Sequence, residues 1–570
     1  MALQFETGVQ NLVYQMDAGA GRRIMQAALA LLFAIAMAFL YTITNFRGLK
    51  DARAMDEAQL ARSYAMGEGL KTRSIRPLAI GLLRERHPEG VNLVQNHPDL
   101  LHPPLWPAIL GTYFRVVGVP QPGVPNTHNV YPSDYAPVAL NHFFTVLSAL
   151  WVWLIGRKLF DGRVAALSVG AYLSSDLAWR NSMLGGDFGA AVFFVLGAVY
   201  SALWAADAGA SGWRGWLALG ASSFLTSAAF LARYGAGTIA LAIFLFIGVS
   251  RRNRSWGLAT VYAAVAALPA GLWAARNVAV SGSPFGLVFH ELLAGTYLFP
   301  EDAIYRTVEP FLPDFGTMMF AVQIKMMNNL RTYADSGFGL AGCGLLLGLF
   351  AAMYLHRFVR PSSRLLRWCL LPSVALAALS GAAFGEESLR ALAIYWPLAI
   401  PFAWAFFLVL LDRLQFELRF FAAGAISIAM FVSGLPMLLQ VLPPRTGLPY
   451  PPYFHRYVGW ISTMLDEGEC MATDIPWAMA WYGGKTAVQL PMNIDGFYEL
   501  HEKHQKLSMV YFTTVTRNKP WVRGLSDPSA PEHSWYQIFA AGKVPATFPL
   551  AHGRFIDGSD QFLLADRPRW

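Results

Sequence analysis

Two adjacent carboxylates, Asp56 and Glu57, lie in the stretch "AMDEAQLARSYAMGEGL", which begins about ten residues beyond the end of an apolar run. An ionised carboxylate facing a cavity can take the proton of an attacking hydroxyl. It can also bind a cation, and acids are equally common as caps at helix starts. Ala58, Ala61 and Ala65, with Leu60 and Tyr64, recur at helical spacing. That spacing predicts a helix lying on a membrane surface, with the two acids at its N-terminus, where the helix dipole favours their ionised form. A third acid, Asp187 in "LGGDFGAAVFF", opens an apolar run. An acid at that depth is expensive and is expected to face a cavity or a partner. Asp176 and Arg180 in "SSDLAWRN" stand four residues apart, and an ordinary helical ion pair accounts for them as well as catalysis does.

The cations complement the acids. Arg233 in "FLARYGAG", Arg276 in "WAARNVAVSGSPFG" and Arg390 in "GEESLRALAIYWP" each sit at the end of an apolar run. A guanidinium there matches a lipid phosphate bidentately. For any one of them, reaching out to ordinary head groups is the plainer account, and three together favour a phosphate site. Lys325 and Arg331 in "KMMNNLRTY" could add to it. His97 and His102 in "HPDLLHPPLWPAIL" are the candidate metal ligands, although their spacing is not that of a compact ligand set and loop hydrogen bonding suits them better. The chain has no P-loop, GxSxG, HExxH or CxxC pattern, which argues against an ATP-driven pump or a serine hydrolase.

These residues need elements to position them, and composition says which. The chain has 570 residues, is 55% hydrophobic and carries only 14% charged residues, against roughly 25% in a soluble globule. The deficit is concentrated in long blocks, so the class is a polytopic, all-α membrane protein. About eleven spans are expected, near 25–44, 137–156, 163–179, 187–206, 215–232, 235–250, 256–275, 337–355, 368–384, 391–411 and 420–440. With the N-terminus cytoplasmic, every dense basic cluster falls on one side: Arg22/Arg23, Arg157/Lys158/Arg163, Arg214, Arg251/Arg252/Arg254, Arg357/Arg360/Arg364/Arg367 and Arg413/Arg419. Orientation in the bilayer thus explains the net charge of +8, and nucleic acid is not an expected partner. The first run lacks a cleavage site and reads as a retained anchor. Cys343, Cys369 and Cys470 form no disulfide framework and are expected as free thiols.

The other side then receives the loops 45–136 and 276–336 and the tail 441–570. The proline-rich "LPPRTGLPYPPYF" reads as a linker into that tail. Beyond it, "ECMAT", "TAVQL" and "LSMVYFTTV" read as strands, and "PWAMAWYGG" and "FYELHEKHQ" as helices. The alternation predicts a small C-terminal α/β domain over 441–570, behind a membrane domain over 1–440.

The ordered set of motifs resembles the polytopic glycosyltransferases of the GT-C fold, and among them the bacterial protein-mannosyltransferase and aminoarabinose-transferase superfamily. "MDEAQLARSYAMGEGL" resembles the acidic motif of that superfamily's first outer loop, and "HPPLWPAIL" its continuation. "LGGDFGAAVFFVLGA" is similar to its second acidic site, and "LARYGAG", "RNVAVSGSPFG", "LRALAIYWPLAIPFAW" and "IPWAMAWYGGKTAVQLP" follow in order. The resemblance covers roughly residues 25–500. It implies an inverting transfer of a sugar from a polyprenyl-phosphate donor, in bacteria usually undecaprenyl phosphate, to an envelope glycolipid, polysaccharide or protein. It implies Asp56 as catalytic base, Glu57 as its neighbour in the motif, Asp187 as an orienting acid, and Arg233, Arg276 and Arg390 as the donor-phosphate site. It leaves a divalent metal open, and it places the protein in a bacterial inner membrane with the C-terminal domain periplasmic. The long segment "RERHPEGVNLVQN" departs from the short first loop of many members, which bears on the acceptor. Two alternatives stand beside this expectation. A lipid-linked sugar transporter requires paired repeats and broken spans, which the sequence does not display. A non-catalytic envelope assembly protein predicts that the acids are dispensable.

Overall fold

The computed structural model describes residues 20–87, 91–123, 125, 130–208, 212–250, 255–337, 344–386, 388–415, 419–442, 455–517, 520–556 and 561–570. Cys343, Arg251, Arg252, Arg254 and most of the linker lie outside them. Cys369 and Cys470 are buried free thiols.

Among the described residues, eight helices are long and apolar enough to cross a membrane. They are Ile24–Asn45, Pro132–Leu159, Phe188–Asp207, Trp213–Ala232, Trp256–Ser281, Pro361–Phe384, Trp396–Arg413 and Phe420–Val441. The chain is a multi-pass membrane protein. The runs near 235–250 and 337–355 form the shorter apolar helices Tyr234–Val249 and Gly344–Leu355. The run near 163–179 divides at Ser174 and Ser175 into Gly162–Leu173 and Asp176–Met183. The hairpin of Phe188–Ala208 with Trp213–Ala232 packs on Tyr135–Leu159 and forms the centre of the helical core.

Among the described residues, three α-helices lie between the first two long helices: Ala52–Ala65, Pro77–Arg84 and Leu105–Val117. The first, the acidic helix, corrects two expectations. Its N-cap is Asp51, whose carboxylate accepts from Arg53 N at 3.3 Å. Asp56 and Glu57 therefore lie more than a turn inside the helix, beyond the reach of a cap. Nor does the helix lie on a membrane surface, because Ala54 to Ser63 are all buried. It is enclosed between Leu105–Val117 and the C-terminal domain. Gly111 permits that crossing: a Cβ there would stand 2.6 Å from the Ala61 carbonyl oxygen. On the other side Arg62 donates to the Trp481 carbonyl at 2.8 Å and lies 4.1 Å over the Trp481 ring. Nearby, Asp134 accepts from Trp481 Nε1 at 2.8 Å and the Tyr482 hydroxyl at 3.0 Å.

The C-terminal region forms a six-stranded sheet in the order β1-β3-β2-β4-β6-β5. The strands are β1 (Ser74–Ile75), β2 (Cys470–Thr473), β3 (Thr486–Gln489), β4 (Leu507–Phe512), β5 (His552–Phe555) and β6 (Phe562–Ala565). β2, β3 and β4 are the three strands legible in the sequence; they are parallel, while β5 and β6 add antiparallel pairs. β2 and β4 are buried along their whole length, as their continuous apolar runs require of strands covered on both faces. β1 comes from the segment between the first two long helices and pairs with β3. The loop that carries the acids is thereby stitched into the C-terminal sheet.

Candidate active site

The acidic helix turns Asp56 and Glu57 into a buried cluster. Asp56 is 1% exposed, and its Oδ2 lies 2.7 Å from an Arg76 guanidinium nitrogen. His102 Nε2 approaches the same oxygen at 3.9 Å. His102 is itself held by Asp99, which accepts from the His102 backbone N at 2.8 Å and pairs with Nδ1 at 3.0 Å. Burial opposes charge on that imidazole, but Asp99 and then Asp56 hold it above its ordinary range. Asp56 Oδ1 is buried and has no hydrogen-bond partner.

Glu57 faces a second arm of the cluster. Its Oε1 accepts from Arg53 Nε at 3.0 Å, and Arg53 also reaches Asp187 Oδ2 at 3.0 Å. Burial and then the Asp187 carboxylate push Glu57 up to about 8. Glu57 is therefore the more readily protonated acid of the pair, and its Oε2 has no hydrogen-bond partner. Asp187, fixed between Arg53 and Arg233 (2.6 Å), is the anion. Pushing two carboxyl groups apart in this way gives them separate roles.

The expected arginines fall into two places. Arg233 joins Asp187 and Glu386. Arg390 pairs with Asp51 at 2.9 Å, and Arg53, Arg233 and Arg390 all act on the field around Asp187. Arg276 lies instead on the histidine side, donating to the Asp99 carbonyl at 2.9 Å and stacking 4.8 Å from the Trp273 ring. Asp176 and Arg180 form their ion pair, and Asp176 also accepts from the Tyr41 hydroxyl at 2.6 Å. Lys325 donates to the Glu291 carbonyl at 2.8 Å.

Several members of the cluster escaped sequence reasoning. Arg53 stands four residues before Glu57 on the same helix face, a legible signal. Arg76 and Glu386 carried no such signal, since their partners are distant in the chain, whereas Asp99 stands three residues before its partner His102. Glu291, at the end of the short helix Val288–Glu291, brings a further, partly buried carboxylate within charge range of Arg53, Lys325, Arg76 and His102.

The donor set does not fit a metal centre. Asp56, Glu57 and Asp187 each already engage a guanidinium, and Arg53 bridges Glu57 and Asp187. Among the described residues no group of three His, Cys, Asp or Glu side chains could hold an ion. Both histidines, for which loop hydrogen bonding was the favoured expectation, make hydrogen bonds within the protein. His97 bonds the Leu93 carbonyl at 2.8 Å, and burial lowers it to about 4. His102 belongs to the acid cluster.

No protein-family model and no curated protein matches the chain. Solved structures do. The oligosaccharyltransferase of Archaeoglobus fulgidus, in a complex with zinc and sulfate, aligns over 88% of this chain and 70% of its own, at 12% identity and a TM-score of 0.52. The same organism's oligosaccharyltransferase AglB, in complex with an inhibitory peptide and a dolichol-phosphate, aligns over 86% and 70%, at 11% identity and a TM-score of 0.50. ArnT from Cupriavidus metallidurans bound to undecaprenyl phosphate aligns over 96% and 99%, at 11% identity and a TM-score of 0.42. The chain has the GT-C fold.

Proposed function

We propose that this GT-C chain is an inverting glycosyltransferase that moves a sugar from a polyprenyl-phosphate donor to an envelope glycolipid, polysaccharide or protein. Undecaprenyl phosphate is the donor lipid in a bacterial inner membrane, with the chemistry on the periplasmic face. Residues 1–440 form the transferase body and 441–570 an outer α/β domain. The observation that carries this reading is the state of Asp56. One carboxylate oxygen is fixed by Arg76 at 2.7 Å, while the other is buried and unpartnered. A buried polar atom left without a partner calls for a specific reason. A substrate hydroxyl provides one. The GT-C neighbour from Archaeoglobus fulgidus was solved with a dolichol-phosphate, a polyprenyl phosphate of the class proposed here.

Asp56 Oδ1 takes the proton of the acceptor hydroxyl as that oxygen bonds to the anomeric carbon. The bond from that carbon to the phosphate oxygen breaks on the opposite side, and the lipid phosphate leaves with the electron pair. Arg233, Arg390 and Arg276 stabilise the charge that develops there. Glu57, when protonated, donates a hydrogen bond from Oε2 to a phosphate or sugar oxygen. Asp187 holds Arg53 and Arg233 in place. No nucleotide is required, since the glycosyl phosphate bond stores the driving free energy. The donor's tail dissolves only in lipid, so the acids must lie at the bilayer boundary.

The test uses the purified full-length protein, polyprenyl phosphates carrying labelled sugars, and an envelope extract as acceptor source. Release of free polyprenyl phosphate with label in the extract is the expected result; no release from any donor overturns the reading. Because Asp56, Glu57 and Asp187 already engage guanidinium groups, a chelator should leave that rate unchanged. A loss restored by added divalent ion would contradict the pairing described. Arg276→Ala should weaken donor binding about tenfold, the loss of one charge-assisted hydrogen bond. Equilibrium binding of labelled donor measures it, and unchanged affinity removes Arg276 from the phosphate site.

A further inference from the structure

The segment that follows the helix Trp256–Ser281 plugs into the C-terminal sheet with one arginine. Arg306 closes the 3-10 turn Ala303–Arg306, and its side chain is fully buried. Its guanidinium donates to Asp302 Oδ2 at 3.2 Å and to Thr516 Oγ1 at 3.1 Å, and its carbonyl accepts from Met492 N at 3.0 Å. Gln489, the last residue of β3, donates to the same Asp302 oxygen at 2.8 Å. Asp474, just beyond β2, collects Thr513 N, Thr513 Oγ1 and Thr516 N at 3.1, 2.9 and 3.2 Å. These groups sit at the carboxyl ends of three parallel strands, the crevice where open α/β sheets bind their ligands. Here a turn of the chain itself fills it.

The residue before Arg306 faces the acids. The Tyr305 ring lies 6.0 Å from the Arg76 guanidinium carbon, and its hydroxyl is buried without a hydrogen bond. Arg76 in turn holds Asp56 at 2.7 Å. The turn packs on the helix Pro77–Arg84, which begins one residue after Arg76. Arg84 at that helix's far end pairs with Glu499 of the C-terminal domain at 2.9 Å. An aromatic face beside a partly buried guanidinium restricts its orientation without competing for its hydrogen bonds.

We propose that Arg306 is a positioning residue: by seating the Asp302–Arg306 turn in the C-terminal sheet it holds Tyr305 against Arg76, and so holds Arg76 on Asp56. The C-terminal domain then acts on the turnover step and not on donor binding. The kinetic half of this proposal rests on the transferase reading above; the structural half does not.

Two measurements on the full-length protein test it: amide hydrogen exchange across residues 77–84, and kcat and KM for the polyprenyl-phosphate donor. Tyr305→Leu should quicken exchange in 77–84 while β2 and β4 stay protected. It should lower kcat about a hundredfold, the scale of a misplaced catalytic group, with donor KM unchanged. Tyr305→Phe keeps the ring against Arg76, so exchange in 77–84 should stay at the wild-type rate. Arg306→Lys should reproduce the Tyr305→Leu pattern if it folds, and Thr516→Val gives a milder form of it where it does not. Unchanged exchange and unchanged kcat in Tyr305→Leu would overturn the proposal, as would exchange rising equally in the sheet. If the wild type transfers no sugar, the transferase reading falls and exchange alone decides the linkage: quickened exchange in 77–84 upholds it, and unchanged exchange overturns it.

Discussion

Asp56→Asn is expected to lower sugar transfer about a thousandfold, the middle of the range for removing a general base. The substitution preserves size and shape, so the helix Ala52–Ala65 should keep its packing. What changes is proton affinity: an amide oxygen does not take the acceptor's proton at neutral pH. Donor binding should survive, because the arginines proposed for phosphate, Arg233, Arg276 and Arg390, pair elsewhere. The signature is thus a fall in kcat with donor affinity unchanged, read by turnover and by equilibrium binding on the same preparation. A general loss of folding would instead lower both. Arg76 loses its charged partner in this variant, so a modest drop in stability is expected as well. Full-rate transfer by Asp56→Asn would remove Asp56 as the base and leave Glu291, a carboxylate within charge range of Arg76 and His102, as the group to examine. A carrier or an assembly protein predicts indifference to the same substitution.

How far the sequence anticipated this arrangement depends on the range of the interactions. Spans were legible because a bilayer imposes one solvent on some twenty consecutive residues. β2, β3 and β4 were legible because their apolar runs are bounded by turn residues. The acids Asp56, Glu57 and Asp187 were singled out by type and depth, and Arg53 now joins the last two directly. What the sequence concealed is pairing across distance. Arg76 is twenty residues from Asp56, and nothing in "SIRPLAIG" marks it as a partner. β1 is two residues long and exists only because β3 offers an edge. The acidic helix was expected at the membrane surface because Ala58, Ala61 and Ala65, with Leu60 and Tyr64, recur at helical spacing. It is buried because small alanines admit close packing and Arg62 reaches carbonyls of a domain over 400 residues away. The cap fell to Asp51 and not to Asp56 because the helix begins five residues earlier than a cap at Asp56 would place it.

Arg233→Leu should destabilise the protein by about 3 kcal/mol, the lower end of the range for stranding one member of a buried ion pair. The two side chains are only 5% and 3% exposed, and Arg233 meets Asp187 at 2.6 Å. Leucine fills much of the volume but leaves the Asp187 carboxylate short of a countercharge in a site closed to water. Arg53 still reaches the other carboxylate oxygen at 3.0 Å, which is why the lower end applies. Glu386 also loses its partner, but it is more exposed and contributes less. Denaturant or thermal unfolding of the detergent-solubilised protein gives the loss. The decisive comparison is the double variant Arg233→Leu with Asp187→Asn. If the uncompensated charge is the cause, the double variant should be more stable than Arg233→Leu alone, a coupling of at least about 1 kcal/mol. A single-variant loss under about 1 kcal/mol would mean that Arg233 is not committed to Asp187 in the folded protein. Its guanidinium would then be free to swing onto an incoming lipid phosphate before any acid had to be displaced, and donor binding, not stability, would be the property that Arg233→Leu removes.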